Sequence, residues 1–247
     1  MKTALSPQAA TDLRIQIQSV VLRGDLIIPA DACGIALFAH GSGSGRKSSR
    51  NRFVAEVLQK HQIGTLLFDL LTEDEERIDA HTAHIRFDIP LLSQRLIEVT
   101  EWIREHEGDA PLGYFGASTG AAAALIAAAH FGSQVQAVVS RGGRPDLAGP
   151  YLPKVTAPTL LIVGSLDTPV LGMNSQALAQ LQCPKKMEII PGATHLFEEP
   201  GTLERAAQLA GRWFVETLIE KFSSQTNQTA NAKHYGTTKI SRLYRSL

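Results

Sequence analysis

The sequence predicts an α/β fold in which a doubly wound, mostly parallel β-sheet carries helices on both faces. Short, continuously apolar segments alternate along the chain with longer segments whose apolar residues recur at helical spacing. Two segments near the start, 13–17 and 20–28, instead alternate polar and apolar residues, which predicts an antiparallel N-terminal hairpin at the sheet edge. The interval 141–158 is short and rich in Gly and Pro, so no separate cap domain is expected.

The parallel strands are predicted from apolar segments of four to six residues, many of them β-branched, that end at glycine or polar residues. These segments are too short for helices, and each precedes a turn or loop signal. The six segments are 34–39, 65–69, 112–115, 135–140, 159–164 and 186–190.

The helices are predicted from apolar residues that recur on one face. Phe53, Val54, Val57 and Leu58 define the first such face, and six apolar residues between 89 and 106 define the longest. An alanine-rich segment after the fifth strand predicts a tightly packed helix. The predicted helices cover about 49–61, 89–106, 121–129, 174–181 and 203–222.

Length and composition indicate one folded domain over residues 1–222. The chain has 247 residues, 44% of them hydrophobic, which suffices for a sizeable core. Lys plus Arg and Asp plus Glu number 24 each, so charge gives no argument for nucleic acid or a membrane surface as partner. Two distant cysteines, and no apolar leader or membrane-length run, favour a cytoplasmic protein. Residues 223–247 are polar and basic and are expected to form a flexible tail.

The strongest functional signal is the segment 116–120, which reads Gly-Ala-Ser-Thr-Gly between a predicted strand and a predicted helix. A sharp turn of this kind holds a serine hydroxyl out into a cleft, where it can act as a nucleophile. Glycines on both sides avoid collisions with the neighbouring strand and helix. The structural alternative is that Ser118 only caps the helix.

Two further residues complete the pattern of a catalytic triad. Asp167 follows the seventh predicted strand and His195 follows the eighth, so Ser, Asp and His occur in the chain order of one known triad arrangement. In this hypothesis His195 takes the proton of Ser118, and Asp167 orients the imidazole. Asp146, just after the sixth strand, is the alternative acid.

The loop after the third predicted strand, 40–45, reads His-Gly-Ser-Gly-Ser-Gly and predicts an oxyanion hole. The backbone N–H groups of Thr119 and Ser42 are the expected donors, with Gly43 as the alternative to Ser42. The loop lacks the spacing of a P-loop or a dinucleotide site, so no cofactor is expected. His40 is expected to be structural, hydrogen-bonded beneath the loop.

These motifs together resemble the α/β-hydrolase superfamily and, within it, the dienelactone-hydrolase-like branch. The resemblance spans about residues 13–222. The segments that carry it are 39–46, 115–121, 139–147 and 160–167. It implies the α/β-hydrolase fold and an esterase-type hydrolase whose triad is Ser118, Asp167 and His195. Relatives in this branch are sometimes joined to a phosphoribosyltransferase domain, which no segment of this chain supplies.

One position departs from that branch. Dienelactone hydrolases carry a cysteine nucleophile where this chain has Ser118, and neither Cys33 nor Cys183 could replace it. A serine hydroxyl, rather than a thiol, is therefore at the centre of the expected chemistry.

Without a cap domain, the cleft is expected to be roofed by loops at 42–50, 70–86 and 142–152. Such a roof favours a small or medium substrate over a long buried acyl chain. Gly43, in the first of these loops, is a candidate substrate-binding residue.

Arginines in or beside the same loops are further candidates for substrate binding. Arg46 and Arg141, together with Arg144, could bind a substrate carboxylate. In the alternative, these side chains pair with loop carbonyls or with acids such as Glu73 and Asp74.

Glu76, Asp79, His81 and His84 could be read as metal ligands, but their spacing matches no strong zinc pattern. A solvated loop, and no metal, is expected there.

The leading functional hypothesis is a serine hydrolase that cleaves a small-molecule carboxylic ester through an acyl-enzyme. Thioester or amide cleavage and acyl transfer remain alternatives because the same triad serves them all. A non-catalytic binding module on a hydrolase scaffold is the alternative from another class. The oligomeric state stays open.

Overall fold

A computed structural model of the chain describes residues 7–18 and 20–218, which form one eight-stranded sheet with flanking helices. The strands are β1 (Gln8–Ile17), β2 (Val20–Ile28), β3 (Ile35–Ala39), β4 (Gly64–Phe68), β5 (Leu112–Ala117), β6 (Val135–Arg141), β7 (Thr159–Gly164) and β8 (Lys185–Ile190). Their order in the sheet is β1-β2-β4-β3-β5-β6-β7-β8. β1 pairs antiparallel with β2, and β2 with β4, whereas all other neighbours are parallel. The predicted fold class, including the antiparallel hairpin, is confirmed.

Helices cover both faces of the sheet. They are α1 (Ser49–Lys60), α2 (Glu73–Thr82), α3 (Ile89–Glu107), α4 (Thr119–Phe131), α5 (Thr168–Gln180) and α6 (residues 202–218). α1 and α6 contribute to the core on one face, and α3, α4 and α5 to the core on the other. Because both faces are covered, β3, β4, β5 and β7 are buried along their whole length. Within residues 7–18 and 20–218, no helix is both long enough and apolar enough to span a bilayer.

The carboxyl ends of β3, β5, β6, β7 and β8 lie at one edge of the sheet because these strands are parallel. In open α/β sheets this edge is where ligands bind. Every candidate catalytic and oxyanion residue lies in a loop after one of these five strands or, for Thr119, at the start of the helix that follows, so the topology gathers them at one end of the molecule.

The predicted loop over 70–86 is wrong for its central part, which forms α2. The Thr72 hydroxyl accepts from the Glu75 N–H at 3.2 Å, and the Glu75 carboxylate accepts from the Thr72 N–H at 2.8 Å. This capping box satisfies amides that the helix itself leaves free, and the acidic first turn suits the positive end of the helix dipole. The segment has no apolar face, so hydrophobic spacing did not indicate a helix.

Two other differences from the prediction are an earlier start of α5 and a 3-10 segment in the interval between β6 and β7. α5 begins at Thr168, six residues earlier than predicted, because Pro169 is tolerated in the first turn of a helix. The interval between β6 and β7 holds a 3-10 segment, Pro145–Lys154, kinked at Gly149. The predicted end of the last helix at 222, and the predicted tail at 223–247, lie outside the described residues.

Candidate active site

Ser118 occupies the sharp turn between β5 and α4 in a strained conformation, with φ 49° and ψ −121°. The turn needs glycine on both sides. A methyl group at Gly120 would lie 2.1 Å from the carbonyl oxygen of Ala39, and one at Gly116 would lie 2.5 Å from the Cα of Ala121. The Ser118 side chain does not cap α4, in contrast to the structural alternative, so its hydroxyl stays available for chemistry.

His195 and Asp167 are hydrogen-bonded, with 2.7 Å between His195 Nδ1 and Asp167 Oδ2. When Nδ1–H donates to the carboxylate, the free lone pair of the imidazole is on Nε2. Asp146, the alternative acid, binds Arg144 through both carboxylate oxygens, at 2.8 to 3.2 Å. The structure therefore pairs the histidine with Asp167 and not with Asp146.

Ser118 and His195 lie against two consecutive residues at the end of β6, Ser118 against Arg141 and His195 against Gly142. The Ser118 N–H donates to the Arg141 carbonyl at 3.3 Å. A methyl group at Gly142 would lie 3.1 Å from the His195 carbonyl oxygen and 3.6 Å from His195 Nδ1. Gly142 itself has φ 50° and donates to the Ile162 carbonyl at 2.8 Å, which fixes this junction on the sheet. The candidate nucleophile and the candidate base thus lie at the same end of β6, although within the described residues no hydrogen bond joins the Ser118 hydroxyl to the imidazole of His195.

The glycine-rich loop after β3 packs directly on the candidate nucleophile. The Ser44 N–H donates to the Gly41 carbonyl at 3.1 Å and closes a tight turn in which Gly43 has φ 67°. A positive φ at this position of a turn calls for glycine. A methyl group at Gly41 would lie 2.9 Å from the Cβ of Ser118, so only glycine allows the turn to approach so closely.

The two predicted oxyanion residues lie side by side. The Ser42 hydroxyl donates to the Arg86 carbonyl at 3.1 Å, so its oxygen can accept from the Thr119 hydroxyl at 3.0 Å. Thr119 is the first residue of α4, where the helix offers its N–H no acceptor. The contact between the side chains brings the two backbones together beside Ser118, while the role of their N–H groups stays a prediction.

His40 is buried beneath this loop and is bound on both ring nitrogens. The Leu70 N–H donates to His40 Nε2 at 2.9 Å, which leaves Nδ1–H to donate to the Gly41 carbonyl at 3.0 Å. Burial lowers the pKa of His40, since the charged ring would lose its hydration. A neutral histidine in this tautomer joins the loop to the end of β4, and it has no nitrogen left to serve as a second base.

Arg46 is held by acids of the fold. Its Nε, Nη1 and Nη2 donate to Asp69 at 3.0 Å, Asp25 at 3.0 Å and Asp12 at 2.7 Å, respectively. These contacts favour the alternative in which the arginine pairs with neighbouring acids, although the acids are not those that the sequence suggested. The structure does not bring Arg46 to the Asp167–His195 pair.

Arg141, another of the predicted substrate-binding residues, has different surroundings. It is buried, yet its Nε and Nη1 have no hydrogen-bond acceptor among the described residues. The rings of Phe115 and Phe197 lie close by, each with its centroid 5.9 Å from Arg141 Cζ. Arg141 is the residue whose carbonyl accepts from the Ser118 N–H, and the next residue, Gly142, lies beside His195.

A cavity of about 250 Å3 opens beside the oxyanion loop. Residues 40–44 line one side, and Leu71, Glu76, Arg86 and Leu92 are among the residues that line the other. The predicted substrate-binding residue Gly43 lies here, and a methyl group on it would lie 3.3 Å from Arg86 Nη1. Leu71, Glu76 and Arg86 belong to the segment 70–86 that was expected to roof the cleft, whereas Leu92 was predicted only as part of the apolar face of a helix.

The acids and histidines around α2 do not form a metal centre. Asp79 accepts from the side chain and backbone of Arg86, and His81 Nδ1 is bonded to the Arg77 carbonyl within the helix. In the part of the chain that the structure describes, no group of three or more His, Cys, Asp or Glu residues is placed to hold a metal ion.

Comparison with known proteins gave relatives but no match to a protein-family model. Two curated proteins from strains of Mycobacterium tuberculosis are 53% identical over 214 residues, which is 86% of this chain. Both carry the provisional name phosphoribosyl transferase. The chain spans about half of their length, namely 47%.

Among the solved structures there is a relative that this chain covers over nearly its whole length. A dienelactone hydrolase from Anabaena variabilis is 57% identical, with a TM-score of 0.83 over 85% of this chain and 98% of that protein. A lidless α/β serine hydrolase from Xanthomonas campestris shares the fold at 19% identity, with a TM-score of 0.67 over 89% and 98% of the two chains. High identity over nearly the whole Anabaena protein, on the sheet order described above, means that this chain belongs to the dienelactone-hydrolase-like branch of the α/β-hydrolase superfamily.

Proposed function

We propose that this protein is a serine hydrolase that cleaves carboxylic esters of small or medium substrates through an acyl-enzyme. The observation that carries the proposal is the 2.7 Å bond between His195 and Asp167, on the sheet edge where Ser118 is held in its strained turn. A base oriented by a carboxylate, next to a hydroxyl exposed by a sharp turn, is the arrangement that activates a serine.

In the proposed mechanism, Ser118 Oγ forms a bond to the ester carbonyl carbon while its proton passes to His195 Nε2. The N–H groups of Thr119 and Ser42 stabilise the negative charge that develops on the carbonyl oxygen. The carbon–oxygen bond to the alcohol then breaks, and the alcohol leaves with the proton from the imidazolium. Water attacks the acyl-enzyme in the same way, so the acid is released and Ser118 regains its proton.

The cavity of about 250 Å3 beside the oxyanion loop supports the substrate size, since it offers room for a small acyl or alcohol group next to Gly41, Ser42 and Gly43. The name of the Anabaena variabilis relative supports ester cleavage, because a lactone is a cyclic ester. The name of the mycobacterial proteins covers a chain about twice as long as the matched part and does not specify the activity of that part.

A small-molecule ester is the proposed partner, and the balanced charge of the chain offers no reason to propose a nucleic acid or a membrane surface. A cytoplasmic location is part of the same proposal. Both Cys33 and Cys183 are free thiols, which agrees with a reducing compartment.

The test is labelling with a fluorophosphonate probe together with turnover of short p-nitrophenyl esters. Wild type and Ser175→Ala, which alters an exposed serine on α5, should be labelled and active. Ser118→Ala should lose both signals. If the wild type is neither labelled nor active, the protein is a binding module and the proposal is wrong. A panel of thioesters and amides, run in parallel, ranks the alternative substrates of the same triad.

A further inference from the structure

Arg141 carries a guanidinium that is buried and has no anionic partner in the part of the chain that the structure describes. Only 7% of its surface is exposed, and neither Nε nor Nη1 has an acceptor among the described residues. Arginine is almost never buried to this degree unless it is paired, because an unpaired charge loses its hydration without compensation. Arg46 shows the rule in the same protein, since it is 8% exposed and binds three carboxylates.

The groups around Arg141 do not satisfy its donors. Phe115 and Phe197 present ring faces, which attract a cation but leave the in-plane N–H groups without acceptors. Burial, and to a smaller extent the positive charge of Arg50, lowers the pKa of Arg141 to about 10. The side chain therefore remains a cation at neutral pH and still needs a negative charge nearby.

The local charge balance is positive. Arg50 is near enough to act electrostatically on Arg141, and it binds Glu198, with 3.1 Å between Arg50 Nη1 and Glu198 Oε1. Glu198 is 63% exposed and is engaged by Arg50 rather than by Arg141. Glu198 thus offsets the charge of Arg50, whereas no carboxylate of the described residues acts on Arg141, whose charge one monovalent anion would neutralise.

We infer that Arg141, with Arg50 beside it, forms a binding site for a small monovalent anion beneath the segment 195–198. The Nε–H and Nη2–H of Arg141 point to the same side of the guanidinium and are the donors, in the geometry that suits a halide or one carboxylate group and through which Arg144 binds Asp146. The rings of Phe115 and Phe197 form the walls. The inference goes beyond ester cleavage, because an anion can bind to Arg141 whether or not the protein hydrolyses an ester.

The anion has two possible sources with the same chemistry, namely a free ion such as chloride or a carboxylate carried by a substrate. The site lies next to the proposed base, since Phe197 is two residues beyond His195 and Gly142 touches that histidine. A substrate with a second, ionised carboxyl group could therefore reach it, and kinetics separates the two sources.

Thermal unfolding of the full-length chain in increasing sodium chloride or sodium formate tests the site itself. We expect the Tm of the wild type to rise by about 2–4 °C more than that of Arg141→Met, because only the wild type gains stability from binding. Arg212→Met removes the same charge from an exposed position on α6 and should respond as the wild type does. An equal response of wild type and Arg141→Met would overturn the inference.

A second measurement does not depend on a folded Met variant. Crystals of the wild type soaked in sodium bromide should show an anomalous peak within hydrogen-bonding distance of Arg141 Nε and Nη2. Soaked crystals that diffract well but show no such peak would contradict the site. Arg141→Lys keeps the charge but loses the paired donors, so its salt response should fall several-fold.

Kinetics with p-nitrophenyl acetate and mono-p-nitrophenyl glutarate identifies the source of the anion. If the substrate carboxylate occupies the site, chloride should raise the KM of the glutarate ester several-fold more than that of the acetate. If a free ion occupies it, chloride should affect both esters alike. When neither ester is hydrolysed, the proposed function fails, whereas the Tm and bromide measurements still decide on the anion site.

Discussion

Two parts of the candidate active site carry an arginine of nearly equal burial but in opposite surroundings. In the β3 rim, which comprises residues 40–46, Arg46 is 8% exposed and binds three carboxylates. In the β6–β8 rim, which comprises residues 141–144 and 195–198, Arg141 is 7% exposed and binds no carboxylate of residues 7–18 and 20–218. Burial alone therefore does not tell whether a buried charge serves the fold or a ligand.

The two rims differ in how their charged side chains are bound. Ion pairs join the β3 rim to β1, β2 and the end of β4, and His40 adds two hydrogen bonds. A loop fixed in this way suits an oxyanion hole, whose donors must be in place before the reaction. The β6–β8 rim pairs its histidine with Asp167 but leaves Arg141 unsatisfied, so it is the part whose properties should depend on bound ions.

The largest effect is expected within the β6–β8 rim and concerns the choice of acid. Asp167→Asn should lower ester turnover by about 10^3- to 10^4-fold, because an amide holds the imidazole in the wrong tautomer. Asp146→Asn removes the same charge from a residue that binds Arg144, and it should lower turnover by less than about tenfold. Initial rates with a p-nitrophenyl ester, and Tm to verify folding, provide the measurement. A greater loss for Asp146→Asn would reverse the assignment of the acid.

A second prediction compares how Arg46 and Arg141 contribute to the free energy of unfolding. Arg46→Met should lower the free energy of unfolding by about 3 kcal/mol, because Asp25 and Asp69 would remain partly buried without their cation. Arg141→Met, at low salt, should leave that free energy unchanged or raise it, since methionine removes an unpaired charge. Urea unfolding at low ionic strength measures both. Equal losses in the two variants would mean that the rims do not differ as described.

Local pattern was enough to predict the fold and the order of the candidate triad. Continuous apolar runs identify the parallel strands, and β1 and β2 were recognised from alternation, because both patterns depend on near neighbours in sequence. The strained turn at Ser118 was predictable for the same reason, as its two glycines are part of the motif. Asp167 could be preferred over Asp146 only by its position after β7.

Contacts between distant parts of the chain could not be predicted. Arg46, Arg141 and Arg144 look alike in sequence, and their differences depend on which acids the sheet brings near them. Asp25 meets Arg46 only because β2 pairs with β4. α2 escaped prediction because a capping box and charges, rather than an apolar face, define it.

The smallest effect is expected in the β3 rim, where the buried His40 should make the free energy of unfolding depend on pH. Burial lowers the pKa of His40 below its ordinary value of 6.5, so the unfolded chain takes up this proton first as pH falls. The stability that neutral His40 contributes is fully present above about pH 6.5 and declines below it, by up to about 2 kcal/mol at pH 5. His40→Gln, which can still accept from the Leu70 N–H, should flatten the pH dependence of urea unfolding between pH 7 and 5, whereas His130→Gln, at an exposed position, should not. If His40→Gln and the wild type lose stability in parallel over this range, the β3 rim is not held by a neutral histidine.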